Sequence, residues 1–317
     1  MAAPLNFALL GVAGYIAPRH LKAIKDTGNR LLCAGDPCES VGILDRFFPE
    51  ARFFREFERL DRHVDKLRRK PSEERIQYVS ICSPNFLHDA HVRFALRAGA
   101  HAICEKPLVI NPWNVEPLLE LEQEYERRVY TVLQLRLHPA LRALRERLQA
   151  EPPGTRHEVE LTYVTSRGRW YLSTWKGDES RSGGIVTNIG IHFFDLLVWL
   201  FGRVEDSVLN VYDPHRAAGE LHLERASVRW FLSIDRADLP APPAPDKPAT
   251  YRSITMDGQE IEFSDGFTDL HTVVYQDILS GGGFGIADAR PSIVLTHALR
   301  NSRPVGPTPR SHPFLRR

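Results

Sequence analysis

The sequence predicts an α/β chain of two domains: a doubly wound parallel sheet, then an α+β domain on an open, largely antiparallel sheet. Three observations carry this. The 317 residues exceed the ~250–300 that one hydrophobic core usually organises. Up to residue 135, short aliphatic runs alternate with amphipathic stretches, the pattern of a parallel sheet covered by helices. After the turn-rich break Glu151-Pro152-Pro153-Gly154, the chain changes to alternating strands and two long apolar helical segments. The domains are therefore drawn as 1–135 and 136–317.

In the first domain, strands are expected near 5–11, 30–36, 77–82, 101–104 and 129–134, with helices near 18–27, 39–48, 56–69, 88–98 and 111–127. Asn111-Pro112 supplies a cap and a first-turn proline for the last of these. A helical stretch at 138–149 precedes the break. The second domain is expected to carry strands at 156–165, 204–212, 226–234, 251–256 and 259–263, the last two joined by Asp257-Gly258, a hairpin signal. The proline-rich run 240–248 reads as a surface loop.

Composition narrows the function classes. With 43% apolar and 26% charged residues, the chain reads as an ordinary globular protein. No apolar run is expected to reach the ~20 residues of a membrane helix, so no membrane partner is expected. A net charge of +1 gives no overall footprint for nucleic acid. The first residues lack a secretory pattern, which predicts a cytoplasmic protein. Cys33, Cys38, Cys82 and Cys104 form no Cys-x-x-Cys pair and read as reduced, mostly buried thiols. The thirteen histidines show no metal-ligand spacing, so no metal is expected.

The chemistry begins where the first strand ends. Gly11-Val12-Ala13-Gly14-Tyr15-Ile16-Ala17-Pro18 runs into a helix, whose backbone N–H groups and dipole favour a pyrophosphate. Ala13 and Ile16 stand where a strict G-x-G-x-x-G has its later glycines, and by itself the loop reads equally as a tight turn. Asp36 closes the second strand, where a carboxylate accepts from ribose hydroxyls and repels a 2′-phosphate. Together they predict a Rossmann domain that takes NAD over NADP. Ser83, Asn85 and His88 follow the strand at 77–82, at the sheet edge where a cofactor crosses; a helix cap is the other reading for His88.

Two further clusters stand out. Cys104-Glu105-Lys106-Pro107 ends the strand at 101–104, and an ammonium there can hydrogen-bond a reacting hydroxyl. In the segment 183–202, Asn188, His192 and Asp195 fall on one stripe of an apolar helix at 100° per residue. Such groups need partners or a function. Gly281-Gly-Gly-Phe-Gly285 lacks the strand and the Lys-Ser/Thr ending of a phosphate loop and reads as a flexible turn.

Glu105-Lys106-Pro107 and the upstream nucleotide loop resemble the glucose-fructose oxidoreductase/inositol dehydrogenase family, and the resemblance covers nearly the whole chain. In that family the lysine is catalytic, the proline is often cis, and an Asp commonly stands four residues before the histidine, where this chain has Asn188. Further segments resemble one branch of the family: Gly11-Val-Ala-Gly-Tyr-Ile-Ala-Pro-Arg-His20, Ser83-Pro-Asn-Phe-Leu-His88, Leu133-Gln-Leu-Arg-Leu-His-Pro139, Thr165-Ser-Arg-Gly-Arg-Trp-Tyr171 with Trp175-Lys176-Gly177, Thr187-Asn-Ile-Gly-Ile-His192, and Gly266-Phe-Thr-Asp-Leu-His271. That branch oxidises UDP-N-acetylglucosaminuronic acid at C3′, for lipopolysaccharide and O-antigen biosynthesis.

The resemblance implies an NAD-dependent sugar-nucleotide dehydrogenase, a homo-oligomer expected to be a tetramer. Glu105, Lys106 and Gln134 join the loop residues as cofactor contacts. Lys106, Arg136, His138, Arg167, Arg169, Tyr171, Trp175, Lys176, Asn188 and His192 become the substrate-binding candidates, with Lys106 and His192 catalytic. With an ordinary pKa of ~6.5, His192 suits the base, and Lys106, at ~10.4, suits alkoxide stabilisation; burial of Lys106 would reverse the roles. Recycling of NADH by 2-oxoglutarate is open. So are a free cyclitol or pyranose substrate and a non-catalytic NAD-binding regulator.

Overall fold

The computed structural model describes residues 3–241, 249–261 and 269–316. Six strands form the first sheet: β1 (Asn6–Leu10), β2 (Arg30–Gly35), β3 (Arg52–Phe54), β4 (Tyr78–Ile81), β5 (His101–Cys104) and β6 (Val129–Thr131). Their order is β3-β2-β1-β4-β5-β6, and every pairing is parallel. The order of winding reverses between β1 and β4, creating the crevice at the carboxyl ends of the strands where such sheets take ligands. β1 is buried along its whole length, which explains its unbroken apolar character.

The chain separates into two compact units, Met1–Leu137 with Gly266–Arg290, and His138–Asp265 with Pro291–Arg317. The late return to the first unit is absent from the division at residue 135. Its cause is packing: Val274, Tyr275 and Ile278 belong to the same core as Leu9, Val12, Leu21 and Ile24. The helix Leu270–Leu279 thereby covers the first sheet's nucleotide-loop helix, Ala17–Asp26.

In the second unit, β7 (His157–Thr165), β8 (Val204–Tyr212), β9 (Arg216–Leu223), β10 (Ala226–Ser233), β11 (Thr250–Met256) and β12 (Gln259–Glu260) are ordered β12-β11-β7-β10-β9-β8. Only β7 and β10 run parallel. The predicted strand 259–263 ends at Glu260 among the described residues; 262 and 263 lie outside them, as does most of the proline-rich run, 242–248. Asp257 and Gly258 both take positive φ, as the hairpin signal requires.

Several elements differ from expectation for local reasons. The helix expected at 39–48 is confined to Ile43–Phe47. The strand expected at 129–134 stops at Thr131 and yields to a tight turn over Gln134–Leu137. Asn111 precedes Pro112 at a tight helical turn, but its side chain makes no cap hydrogen bond. The stretch Glu179–Phe201 corrects the expectation of no membrane-length apolar segment, because by length and composition it qualifies. Its most apolar window is 72% buried inside the protein, the signature of a core helix. Phe194 within it meets Trp230 edge-on at 5.1 Å.

β9 was not predicted, because Arg216-Ala-Ala-Gly-Glu carries little β-propensity. The small residues are there to accommodate Trp230: a Cβ on Gly219 would stand 2.2 Å from the Val208 carbonyl oxygen and 2.8 Å from Trp230. Gly219→Ala is therefore expected to lower stability by roughly 1–3 kcal/mol through overpacking, read as a fall in the urea midpoint at unchanged slope. An unchanged midpoint would show that this strand has room to spare.

Candidate active site

Gly11 sets the geometry of the nucleotide loop. Its φ is +87°, and a Cβ there would lie 2.6 Å from the backbone of Cys82 and Ser83, so β1 turns flush against the end of β4. Gly14 donates its N–H to the Gly11 carbonyl at 3.0 Å and the Ala17 N–H reaches Gly14 at 3.1 Å, carrying the loop into the helix. Ile16 occupies the cap position without a side-chain hydrogen bond, leaving the first N–H groups of Ala17–Asp26 uncapped by a side chain. Tyr15 stands almost fully exposed on the loop.

Asp36 is fastened from both sides. Its carboxylate accepts from the Ala13 N–H at 3.0 Å and from the Cys38 N–H at 2.8 Å. Each oxygen retains a lone pair, which is the capacity ribose hydroxyls require. Gln134 carries a buried amide oxygen with no hydrogen-bond partner among the described residues, an acceptor waiting for a donor. The glycine cradle, the uncapped helix start, Asp36 and this orphaned acceptor fit a bound dinucleotide.

The Glu105–Lys106–Pro107 turn is held by histidines on either side of Lys106. The Lys106–Pro107 bond is cis. The His88 ring nitrogens lie 2.7 Å from the Pro107 carbonyl oxygen and 2.8 Å from that of Ser83. Burial lowers the His88 pKa, although both carbonyls favour the charged ring. A neutral ring donates from one nitrogen only, so His88 fastens this turn through one of the two carbonyls and stands close to the other. Ser83 Oγ meets His91 Nδ1 at 2.8 Å, and Asn85 is buried beside it in the chain.

Beneath the turn lies a cluster that sequence reasoning did not assemble. Glu105 Oε1 is 3.0 Å from His20 Nε2 and 2.9 Å from His271 Nε2. His20 Nδ1 is 2.8 Å from the Tyr275 hydroxyl, which is 2.6 Å from Ser80 Oγ. All five side chains are buried. Burial alone would raise the Glu105 pKa, but hydrogen bonds from the two imidazoles hold it well below the ordinary carboxylate range. The three ligand-type atoms of His20, Glu105 and His271 lie within 4.8 Å of one another, a constellation also compatible with a cation. His20 and His271 sit inside two of the resembling segments, the one signal that could have singled them out.

Arg136 also belongs to the first unit, where its buried guanidinium donates to Asp288 at 3.2 and 3.0 Å and packs over Phe284 at 5.1 Å. These contacts fasten the Gly281–Gly285 segment, as does the Gly283 N–H to Asp277 at 2.9 Å. That segment was expected to be a flexible turn and is a pinned one.

In the second unit, His138 is buried at the start of the helix Pro139–Ala150. Arg167 and Arg169 are exposed, whereas Trp175 and Lys176 are half-buried and Tyr171 is buried. Lys176 Nζ lies 4.3 Å from the Trp175 ring centre and 5.8 Å from that of Trp170. Burial, then Arg167, lowers the Lys176 pKa.

Asn188 and His192 are half-buried. The expected α-helical stripe is interrupted, because Val186–Gly190 forms a π turn before the α-helix Ile191–Phe201. The wider turn rotates Asn188 away from its α-helical bearing on His192, and such turns recur at functional sites. Asn188 Nδ2 donates to the Tyr171 hydroxyl at 2.6 Å. Asp195, the third residue of the stripe, is buried.

This fold and nucleotide cradle define a Rossmann-type dinucleotide-binding oxidoreductase. The chain belongs to the oxidoreductase family with an NAD-binding Rossmann fold, matched over residues 5–133, and to its C-terminal alpha/beta domain over 154–238. It is similar to the WlbA (WbpB) dehydrogenase of Thermus thermophilus, solved in complex with NAD and alpha-ketoglutarate: 53% identity, TM-score 0.93, covering 98% of this chain and 99% of that one. A second structure of that dehydrogenase, in complex with NAD and UDP-GlcNAcA, matches at 52% identity and TM-score 0.92 with the same coverage. Inositol 2-dehydrogenase of Rhizobium meliloti is 30% identical over 209 residues, 64% of this chain and 57% of that protein. The chain spans little more than half, or less, of the curated relatives it matches.

Gly11→Ala imposes positive-φ strain and a backbone clash, on the order of 1–3 kcal/mol, so NAD affinity should fall by roughly tenfold or more. Calorimetric titration with NAD checks it. Unaltered affinity would remove the loop from the cofactor site.

Proposed function

We propose that this chain oxidises the C3′ hydroxyl of UDP-N-acetylglucosaminuronic acid to the 3-keto sugar, with NAD as the hydride acceptor. The observation that carries the reading is the likeness, at 52% identity over nearly all of both chains, to a dehydrogenase solved with NAD and UDP-GlcNAcA. In this reading Gly11, Ala13, Gly14, Tyr15, Ile16, Asp36, Ser83, Asn85, His88, Glu105, Lys106 and Gln134 hold the dinucleotide. Lys106, Arg136, His138, Arg167, Arg169, Tyr171, Trp175, Lys176, Asn188 and His192 recognise the sugar nucleotide. Its diphosphate and uronate call for cationic donors, and its uracil calls for an aromatic surface. His192 takes the hydroxyl proton while the Lys106 ammonium stabilises the developing alkoxide. Bound NAD supplies the hydride acceptor.

A second half-reaction is favoured by the complex of the Thermus thermophilus relative with alpha-ketoglutarate. There 2-oxoglutarate takes the hydride and a proton to give 2-hydroxyglutarate, regenerating NAD in place. The reading includes a cytoplasmic homotetramer serving surface-polysaccharide synthesis.

The uronate separates this reading from its neighbours. A lost hydrogen bond to a charged group costs about 1.5–3 kcal/mol, so UDP-N-acetylglucosamine should show kcat/KM roughly 10–100-fold below that of its uronic acid. Equal values, or preference for a free cyclitol or pyranose, overturn the substrate. His192→Asn and Lys106→Ala should each slow single-turnover reduction of bound NAD by roughly 10²–10⁴-fold while NAD remains bound. Wild-type rates in both would move the chemistry elsewhere.

A further inference from the structure

The Glu105 cluster carries a charge that its hydrogen bonding does not require. Oε1 accepts both imidazole N–H groups, while Oε2 has no hydrogen-bond partner among the described residues. The side chain keeps 9% of its exposure. A glutamine amide oxygen would accept the same two donors, yet the chain buries a carboxylate, and removing such an ion from water costs several kcal/mol. Its only ion-pair partners among the described residues are the two histidines.

The hydrogen bonds do not require the ring partners to cancel that charge. In a consistent proton order, Ser80 donates to the Tyr275 oxygen, Tyr275 donates to His20 Nδ1, and His20 donates from Nε2 to Glu105. His20 is then neutral, as its burial favours. His271 needs only one N–H to complete the set at Oε1, so the contacts at Glu105 call for an acceptor oxygen and not for a cation.

The place of this charge gives it a use. Glu105 follows the last residue of β5 and precedes Lys106, on the carboxyl side of the sheet where a nicotinamide ring is received. That ring is cationic when oxidised and neutral when reduced. We propose that the buried Glu105 carboxylate selects the redox state of the bound dinucleotide, favouring the oxidised, cationic ring over the reduced one. The proposal rests on the NAD site described above. Its consequence is a more strongly reducing bound NADH, better able to pass hydride to an acceptor such as a 2-oxoacid.

The test measures dissociation constants for NAD and NADH without sugar substrate, in wild type, Glu105→Gln and Glu105→Asp. A buried unit charge that acts on the cationic ring and not on the neutral one changes the ratio of the two constants by roughly tenfold. Glu105→Gln should therefore shift the ratio by about that factor toward NADH, with Glu105→Asp close to wild type. Where Glu105→Gln does not fold, His271→Lys sets a permanent cation beside Oε1 and should shift the ratio in the same direction. Equal loss of affinity for both nucleotides, in either variant, overturns the proposal and leaves Glu105 as a structural group. Because no sugar is oxidised in this measurement, that result leaves the dehydrogenase assignment standing. A wild-type protein that binds neither nucleotide overturns both.

Discussion

A carboxylate buried at the end of β5 is the constraint on which the first unit depends. Glu105 cannot sit there alone, since an uncompensated buried ion is far costlier than a paired one. Its two donors come from distant parts of the chain: His20 from the nucleotide-loop helix and His271 from the helix Leu270–Leu279. The late return of the chain to the first unit is thus required twice, by the polar demand of Glu105 and by the apolar packing of Val274, Tyr275 and Ile278. Tyr275 serves both needs, placing its ring in the core and its hydroxyl between Ser80 and His20.

The same design rule recurs around Lys106. Glu105 is gripped through its side chain and Pro107 through its carbonyl by His88, so the backbone on both sides of the lysine is fixed by imidazoles. The other His88 nitrogen is 2.8 Å from the Ser83 carbonyl oxygen, and Ser83 lies where Gly11 approaches most closely. A continuous path therefore links the nucleotide turn, the end of β4 and the Glu-Lys-Pro turn. The path is made partly of close backbone packing, at Gly11, and partly of polar contacts, at His88 and Glu105.

What was legible in the sequence was whatever depends on neighbours along the chain. The parallel strands β1, β2, β4 and β5 declare themselves as aliphatic runs, and Gly11, Asp36 and the Glu-Lys-Pro turn fall at their carboxyl ends where ligand chemistry belongs. β9 was invisible because its small residues answer to Trp230 across the sheet, which no local propensity records. His20 and His271 are 85 and 166 residues from Glu105, so no spacing could reveal a cluster that only the fold creates. Arg136 shows the converse. An arginine in a resembling segment suggests an anionic ligand, but Asp288, 152 residues away, already accepts two of its N–H groups.

Asn188, in the π turn before Ile191, shows how one substitution alters the chemistry that a motif implies. A carboxylate four residues before the histidine can only accept, and so would take the hydrogen of a neighbouring phenol. Asn188 presents an N–H instead, and the Tyr171 hydroxyl is the acceptor. Burial raises the Tyr171 pKa, so the phenol keeps its hydrogen. With its oxygen receiving the amide proton, Tyr171 is left to donate that hydrogen elsewhere. The exchange of Asp for Asn thus converts an acceptor beside the histidine into a donor pair, Asn188 feeding Tyr171, and removes a negative charge from a site proposed to recognise an anionic sugar.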